Sequence, residues 1–236
     1  MNPKESGIAA SFEEQFANRE KFGEREINVL DISPPNPIHT VLFIPGWKAP
    51  VDEYRKTIKR LYNSGAHIVA PELVGQEEQK AKDIRLLAIN KGLRRIDVAA
   101  HSVGVISAAK ALRNNPSLAE RLILINSASL LGDDDNRELI KRYKSLLAGR
   151  VNGGPRKGGV QEVKDMAEVI NEFNMYDHLK ELTGLGVNIQ ILHSRDDTLF
   201  PYDRVIKEAK EHGWNISEIS GNHLSLDGVD FKKLGY

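Results

Sequence analysis

The sequence predicts an α/β fold built on a mostly parallel, doubly wound sheet, and three observations predict it. Short apolar runs recur at 40–44 (TVLFI), 96–100 (IDVAA), 121–126 (RLILIN) and 188–193 (NIQILH). Near-continuous apolarity of this length marks strands buried on both faces, as parallel strands are. Between the runs stand stretches with apolar residues at helical spacing, and strand–helix–strand alternation implies right-handed crossovers. The third observation is length: 236 residues suit one domain with room for an insertion.

The elements follow in order. Residues 1–11 read as a loose tail, and 11–22 as a short helix with Phe12, Phe16 and Phe22 on one face and a capping-box pattern at Ser11 and Glu14. Residues 27–32 alternate like an edge strand before the turn-rich Ser33-Pro34-Pro35-Asn36-Pro37. The strand at 40–44 runs into Pro45-Gly46-Trp47. A helix over 51–63 carries Val51, Tyr54, Ile58, Leu61 and Tyr62 inward and ends at Gly65. A short strand at 67–70 is followed by a loop in which Glu72 reads as a rim carboxylate. The helix over 77–90 turns Ile84, Leu87 and Ala88 inward, and Gly92 stops it. Next comes the run at 96–100, broken by His101, Ser102 and Val103, after which Gly104 opens a helix rich in small residues. Asn114-Asn115-Pro116 ends that helix ahead of the strand at 121–126.

From 127 to about 185 the rhythm changes to helical patterns at 136–148, 160–173 and 175–182, with a Gly-rich basic loop at 149–159 and no strand between them. No strand leads into those glycines, so they do not form a phosphate-binding fingerprint. The sheet resumes at 188–193, followed by Ser194-Arg195-Asp196-Asp197-Thr198-Leu199-Phe200-Pro201. A helix over 202–212 closes at Gly213, and a last strand at 215–219 leads into Ser220-Gly221-Asn222-His223.

Composition excludes several function classes. Apolar residues make up 40% and charged residues 28%, the balance of a globular chain. Lys+Arg and Asp+Glu are both 33, and no basic stripe with interleaved aromatics is present, so no nucleic-acid partner is expected. The absence of cysteine excludes disulfides, a Cys zinc site and a Cys nucleophile. No stretch approaches the ~20 apolar residues of a membrane span, and the N-terminus has no apolar leader. A soluble cytoplasmic protein without a membrane partner is expected. His39, His67, His178, His193 and His212 form no metal-ligand spacing, and Asp133-Asp134-Asp135 lacks the glycine and distal glutamate of a calcium loop, so no metal is expected.

Chemistry concentrates where strands end. A serine at a strand-to-helix turn has its hydroxyl lifted clear of the sheet and a helix-terminal amide beside it. Ala100-His101-Ser102-Val103-Gly104 resembles the nucleophile elbow of the α/β-hydrolases, G-x-S-x-G, with Ala100 at the first glycine position. The extra methyl must fit where strand and helix pack closely. Pro45-Gly46-Trp47 resembles that family's His-Gly-x turn, with Pro45 in place of the histidine. The resemblance implies that the Trp47 and Val103 amides form an oxyanion hole, with the Trp47 ring toward the substrate. The family's chain order is serine, acid, histidine. Asp197 precedes Pro201 by four residues, as the family's acid does, with Asp196 as the alternative, and Gly221-Asn222-His223 resembles its Gly-x-His. His101 is read as structural.

The resemblance implies a catalytic triad of Ser102, Asp197 and His223 and a helical cap inserted at about 128–185. The expected reaction is cleavage of small carboxylic esters through an acyl-enzyme, without a cofactor, with Trp47, Leu130 and Phe200 lining the acyl pocket. Two other readings share the scaffold. One is a ligand-binding protein with vestigial turnover; the other is a lactonase, C–C hydrolase or cofactor-free lyase or oxygenase.

Overall fold

The computed structural model describes residues 11–128, 138, 141–142, 160–224, 226 and 228–229. Eight strands form one sheet: β1 (Glu20–Phe22), β2 (Ile27–Ile32), β3 (His39–Ile44), β4 (Ala66–Pro71), β5 (Ile96–His101), β6 (Ala119–Ile125), β7 (Asn188–Ser194) and β8 (Asn215–Ile219). Their spatial order is β1-β2-β4-β3-β5-β6-β7-β8. The β1/β2 and β2/β4 pairs are antiparallel, and every other pair is parallel. The fold is thus the mostly parallel α/β sheet that the apolar runs predict.

The helices are α1 (Phe12–Ala17), α2 (Arg55–Asn63), α3 (Glu77–Asn90), α4 (Gly104–Asn114), α5 (Val160–Glu172), α6 (Met175–Gly184) and α7 (Tyr202–Glu211). Side chains of each central strand alternate between two cores. Leu42, Ile44, Val98, Ala100, Leu122 and Leu124 face α3–α7, whereas Val41, Phe43, Ala99, Ile123 and Ile125 face α1 and α2. A strand covered on both faces has few polar positions, which is why these segments read as near-continuous apolar runs, with Asp97 of β5 buried against Arg121 of β6.

Two expectations at the N-terminus are corrected. The helix predicted over 11–22 stops at Ala17, because Asn18 takes extended backbone (φ −89°, ψ 138°) and the chain continues as β1. Consequently the strand at Ile27–Ile32 is the second strand, and β1 takes the edge, pairing through a turn in which Gly23 and Glu26 both have positive φ. The capping box at Ser11 and Glu14 is formed. The predicted helix over 51–63 begins as a 3₁₀ turn at Val51–Tyr54 before becoming α2.

Of the segment read as a cap, 128–185, residues 129–137, 139–140 and 143–159 lie outside the described residues. The later part packs on the sheet's helical layer: Met175, Leu179 and Leu182 of α6 and Met166 and Ile170 of α5 join the core shared with α4.

Strand order also fixes where a site can form. From β3 the chain crosses through α2 to β4 on one side, then returns through α3 to β5 on the other side of β3. The reversal opens a crevice at the carboxyl ends of β3 and β5, the position at which open α/β sheets gather ligands. Ile44 pairs with Ala100, so the Gly46 turn and Ser102 emerge side by side.

Candidate active site

Ser102 sits at the tip between β5 and α4 with φ +53°, a left-handed conformation that is strained for a residue with a Cβ. The sharp turn is made possible at Gly104, where a Cβ would lie 2.2 Å from the Pro45 carbonyl oxygen. The close packing expected at Ala100 therefore falls on Gly104, while Ala100 is simply a fully buried strand residue. The Ser102 amide donates to the Ile125 carbonyl at 3.0 Å, anchoring the turn on β6.

The three residues expected to act together are brought into contact. Ser102 Oγ lies 2.9 Å from His223 Nε2, and His223 Nδ1 lies 2.8 Å from Asp197 Oδ2. Because a carboxylate can only accept, Nδ1 carries the proton; in the neutral ring Nε2 is then the acceptor facing the serine hydroxyl. All three side chains are buried. Asp197 Oδ1 accepts from the Leu199 and Phe200 amides at 2.8 and 2.9 Å. Burial pushes the Asp197 carboxyl up, but the His223 ring and its hydrogen bond, with His193 and the Phe200 amide, outweigh it and hold the group below the ordinary carboxylate range. Asp196, the alternative acid, is exposed and does not meet His223.

The expected oxyanion donors flank the same point: Val103 follows the serine, and Trp47 follows the Gly46 turn. Both line a narrow cleft of ≈ 10 Å³ together with Leu73, Lys80 and Ser107. The Trp47 ring is half-buried, with the Lys80 ammonium 5.0 Å and the Lys48 ammonium 5.6 Å from its centre. Lys80 is itself buried and paired with Glu77 at 2.5 Å. Phe200, expected in the acyl pocket, is 1% exposed, and its ring meets the His223 imidazole edge-on at 5.2 Å. Leu130 lies outside the described residues.

Sequence reasoning gave His193 no role and did not single out Asn126, although both hold this arrangement in place, as does His101, which it read as structural. His193, at the end of β7, is fully buried; its Nε2–H donates to the Phe200 carbonyl at 2.6 Å and lies 3.5 Å from Asp197 Oδ2. Asn126, just past β6, donates from Nδ2 to the Asn222 and His223 carbonyls at 3.2 Å each and accepts the Ser194 amide at 2.8 Å. His101 bonds to Tyr54 and to the His223 carbonyl. Asn126 has positive φ, and asparagine is the non-glycine residue best suited to that conformation at a strand end, which is the one signal that could have found it. Among the described residues no cluster of His, Asp and Glu is arranged to hold a metal ion, and no helix is long and apolar enough to cross a membrane.

An elbow serine, an imidazole and a buried carboxylate in series can move a proton off the serine and return it to a leaving group. With the sheet order, this arrangement defines the class: the chain has the α/β-hydrolase fold. Solved structures agree. An esterase from Exiguobacterium antarcticum superposes with a TM-score of 0.66 at 17% identity, covering 89% of this chain and 94% of that one. Carboxylesterase CesB from Bacillus subtilis gives 0.62 at 13% identity, over 88% and 86% of the two chains. A bromoperoxidase from Bacillus anthracis gives 0.61 at 14%, over 88% and 92%. No family model matches the sequence, and no curated protein does.

Proposed function

We propose that the protein is a serine hydrolase that cleaves small carboxylic esters through an acyl-enzyme. The observation that carries this reading is the buried series Ser102–His223–Asp197 at 2.9 and 2.8 Å, with the serine on a strained elbow. Ser102 Oγ attacks the ester carbonyl while His223 Nε2 takes its proton. The carbonyl oxygen becomes an oxyanion held by the Trp47 and Val103 amides. When the intermediate collapses, His223 returns the proton to the alcohol, which leaves. Water then repeats the sequence against the acyl-serine, releasing the carboxylic acid and restoring the hydroxyl. Asp197 keeps the His223 proton on Nδ1 and stabilises the imidazolium formed twice per cycle. Each oxyanion donor is worth about 3–4 kcal/mol of barrier. The esterases among the structural neighbours are consistent with this reading.

The test is hydrolysis of p-nitrophenyl esters from acetate to decanoate by the wild type and Ser102→Ala. Turnover by the wild type that falls to background in Ser102→Ala supports the proposal, and the chain-length optimum sizes the acyl pocket. Equal activity in both proteins rules out Ser102 as the nucleophile. A wild type inert on every ester removes the esterase reading and directs the search to lactones, amides and ligand binding.

A further inference from the structure

The residue before the nucleophile is a histidine whose ring is buried, 3% exposed, between two parts of the site that are far apart in sequence. Its Nε2 lies 2.8 Å from the His223 carbonyl oxygen, which can only accept, so Nε2 carries the proton. Burial and the neighbouring His223 ring push the His101 imidazole down to about 3, so it is neutral and Nδ1 is an acceptor. The Tyr54 hydroxyl donates to Nδ1 at 2.8 Å, and the Tyr54 oxygen in turn accepts from the Gly46 amide at 2.9 Å. An unbroken, one-directional string therefore runs from Gly46 through Tyr54 and His101 to the backbone of His223. Gly46 is fitted to it: a Cβ there would lie 3.1 Å from both His101 Nδ1 and Tyr54 Oη.

We propose that His101 is a positioning residue that ties the oxyanion turn to the general base, so that Gly46-Trp47 and His223 keep one fixed separation across Ser102. This inference rests on the hydrolase reading of the site. The imidazole spends both nitrogens on the two segments that must stay in register during acyl transfer, and Asn126 supplies a second donor to the same His223 carbonyl. Removing the ring would take away the acceptor that His101 Nδ1 offers the Tyr54 hydroxyl and one donor to the His223 carbonyl, which would keep Asn126. A misplacement of about 1 Å at such a point costs on the order of 10²-fold in turnover.

The experiment compares the wild type, Tyr54→Phe, His101→Gln and the double variant. It reads p-nitrophenyl acetate kinetics, thermal melting and the ¹H NMR signal of the His223 Nδ1 proton. Tyr54→Phe should lower kcat about tenfold and His101→Gln about 10²-fold, both with KM within about twofold, because alignment and not substrate binding is lost. The double variant should be no slower than His101→Gln alone, since both act through one string. Losses that multiply, or a lowered melting temperature at wild-type kcat, overturn the proposal. If His101→Gln does not fold, Tyr54→Phe decides: a folded variant with wild-type kcat refutes it. The NMR signal is independent of turnover. Tyr54 reaches His223 through His101, so a shift of that proton in Tyr54→Phe supports the string, and an unmoved signal overturns it even if the wild type hydrolyses no ester.

Discussion

Acid should weaken this protein well before its carboxylates protonate, and two buried histidines give the reason. His101 is held neutral at about 3 by burial and the adjacent His223 ring. His193 is also lowered, chiefly by burial, and its Nδ1 has no hydrogen-bond partner among the described residues. In the unfolded chain both titrate near the ordinary histidine value of about 6.5. Between that value and the folded one, the unfolded state binds more protons than the folded state, so stability rises with pH across the window and falls as acid is added. For His101 the slope is about 1.4 kcal/mol per pH unit, which makes about 2 kcal/mol between pH 6.5 and pH 5. His193 adds in the same direction. Asp197, lowered as well, has its effect only below the ordinary carboxylate value of 3.8, again with stability lost as pH falls.

A loss of about 2 kcal/mol is a large share of the 5–15 kcal/mol that holds an ordinary domain folded. Urea unfolding at pH 7, 6 and 5 reads it directly. With a slope of about 2–3 kcal/mol per molar, the midpoint should drop by about 0.7–1 M from pH 7 to pH 5. His101→Gln removes the larger titration and should flatten the dependence. A midpoint that does not move between pH 7 and pH 5, or moves equally in His101→Gln, refutes the reasoning.

Three further outcomes are expected. Asp197→Asn should lose on the order of 10⁴-fold in esterase kcat, because the His223 proton is no longer held on Nδ1, while Asp196→Asn keeps the wild-type rate; steady-state kinetics of both variants separates the two acids. Gly104→Ala places a methyl 2.2 Å from the Pro45 oxygen and must push the oxyanion turn off the elbow, so both melting temperature and kcat should fall, kcat by about tenfold or more. Leu124→Ala, at a fully buried position of β6, should lower unfolding free energy by about 2–5 kcal/mol, measured by urea unfolding, with kcat retained in the folded protein.

What the sequence made legible follows from where its constraints are local. Strands covered on both faces are mostly apolar, so β3, β5, β6 and β7 announced themselves within a residue or two. The elbow was equally readable: small residues at Ala100 and Gly104 bracket a lone hydroxyl, and the structure shows the physical demand concentrated at Gly104. β1 was not readable, since Glu20-Lys21-Phe22 has no alternation and exists as a strand only because β2 offers it backbone partners. Its presence then moved β2 off the edge that its own pattern suggested.

The residues that align the site were hidden for a different reason. His101 and Tyr54 are 47 positions apart, and His101 and His223 are 122 apart, so no periodicity can signal their bonds. Each looked like a core or turn residue because its polar atoms are satisfied only in the folded chain. The proposed nucleophile, acid and base are recognisable because that chemistry restricts them to a few residue types at strand ends. Holding them in place is left to side chains whose hydrogen-bond partners come from distant parts of the chain. That division accounts for a triad visible in the sequence and a frame around it that becomes visible only when β3, β5, β6 and β7 bring their ends together.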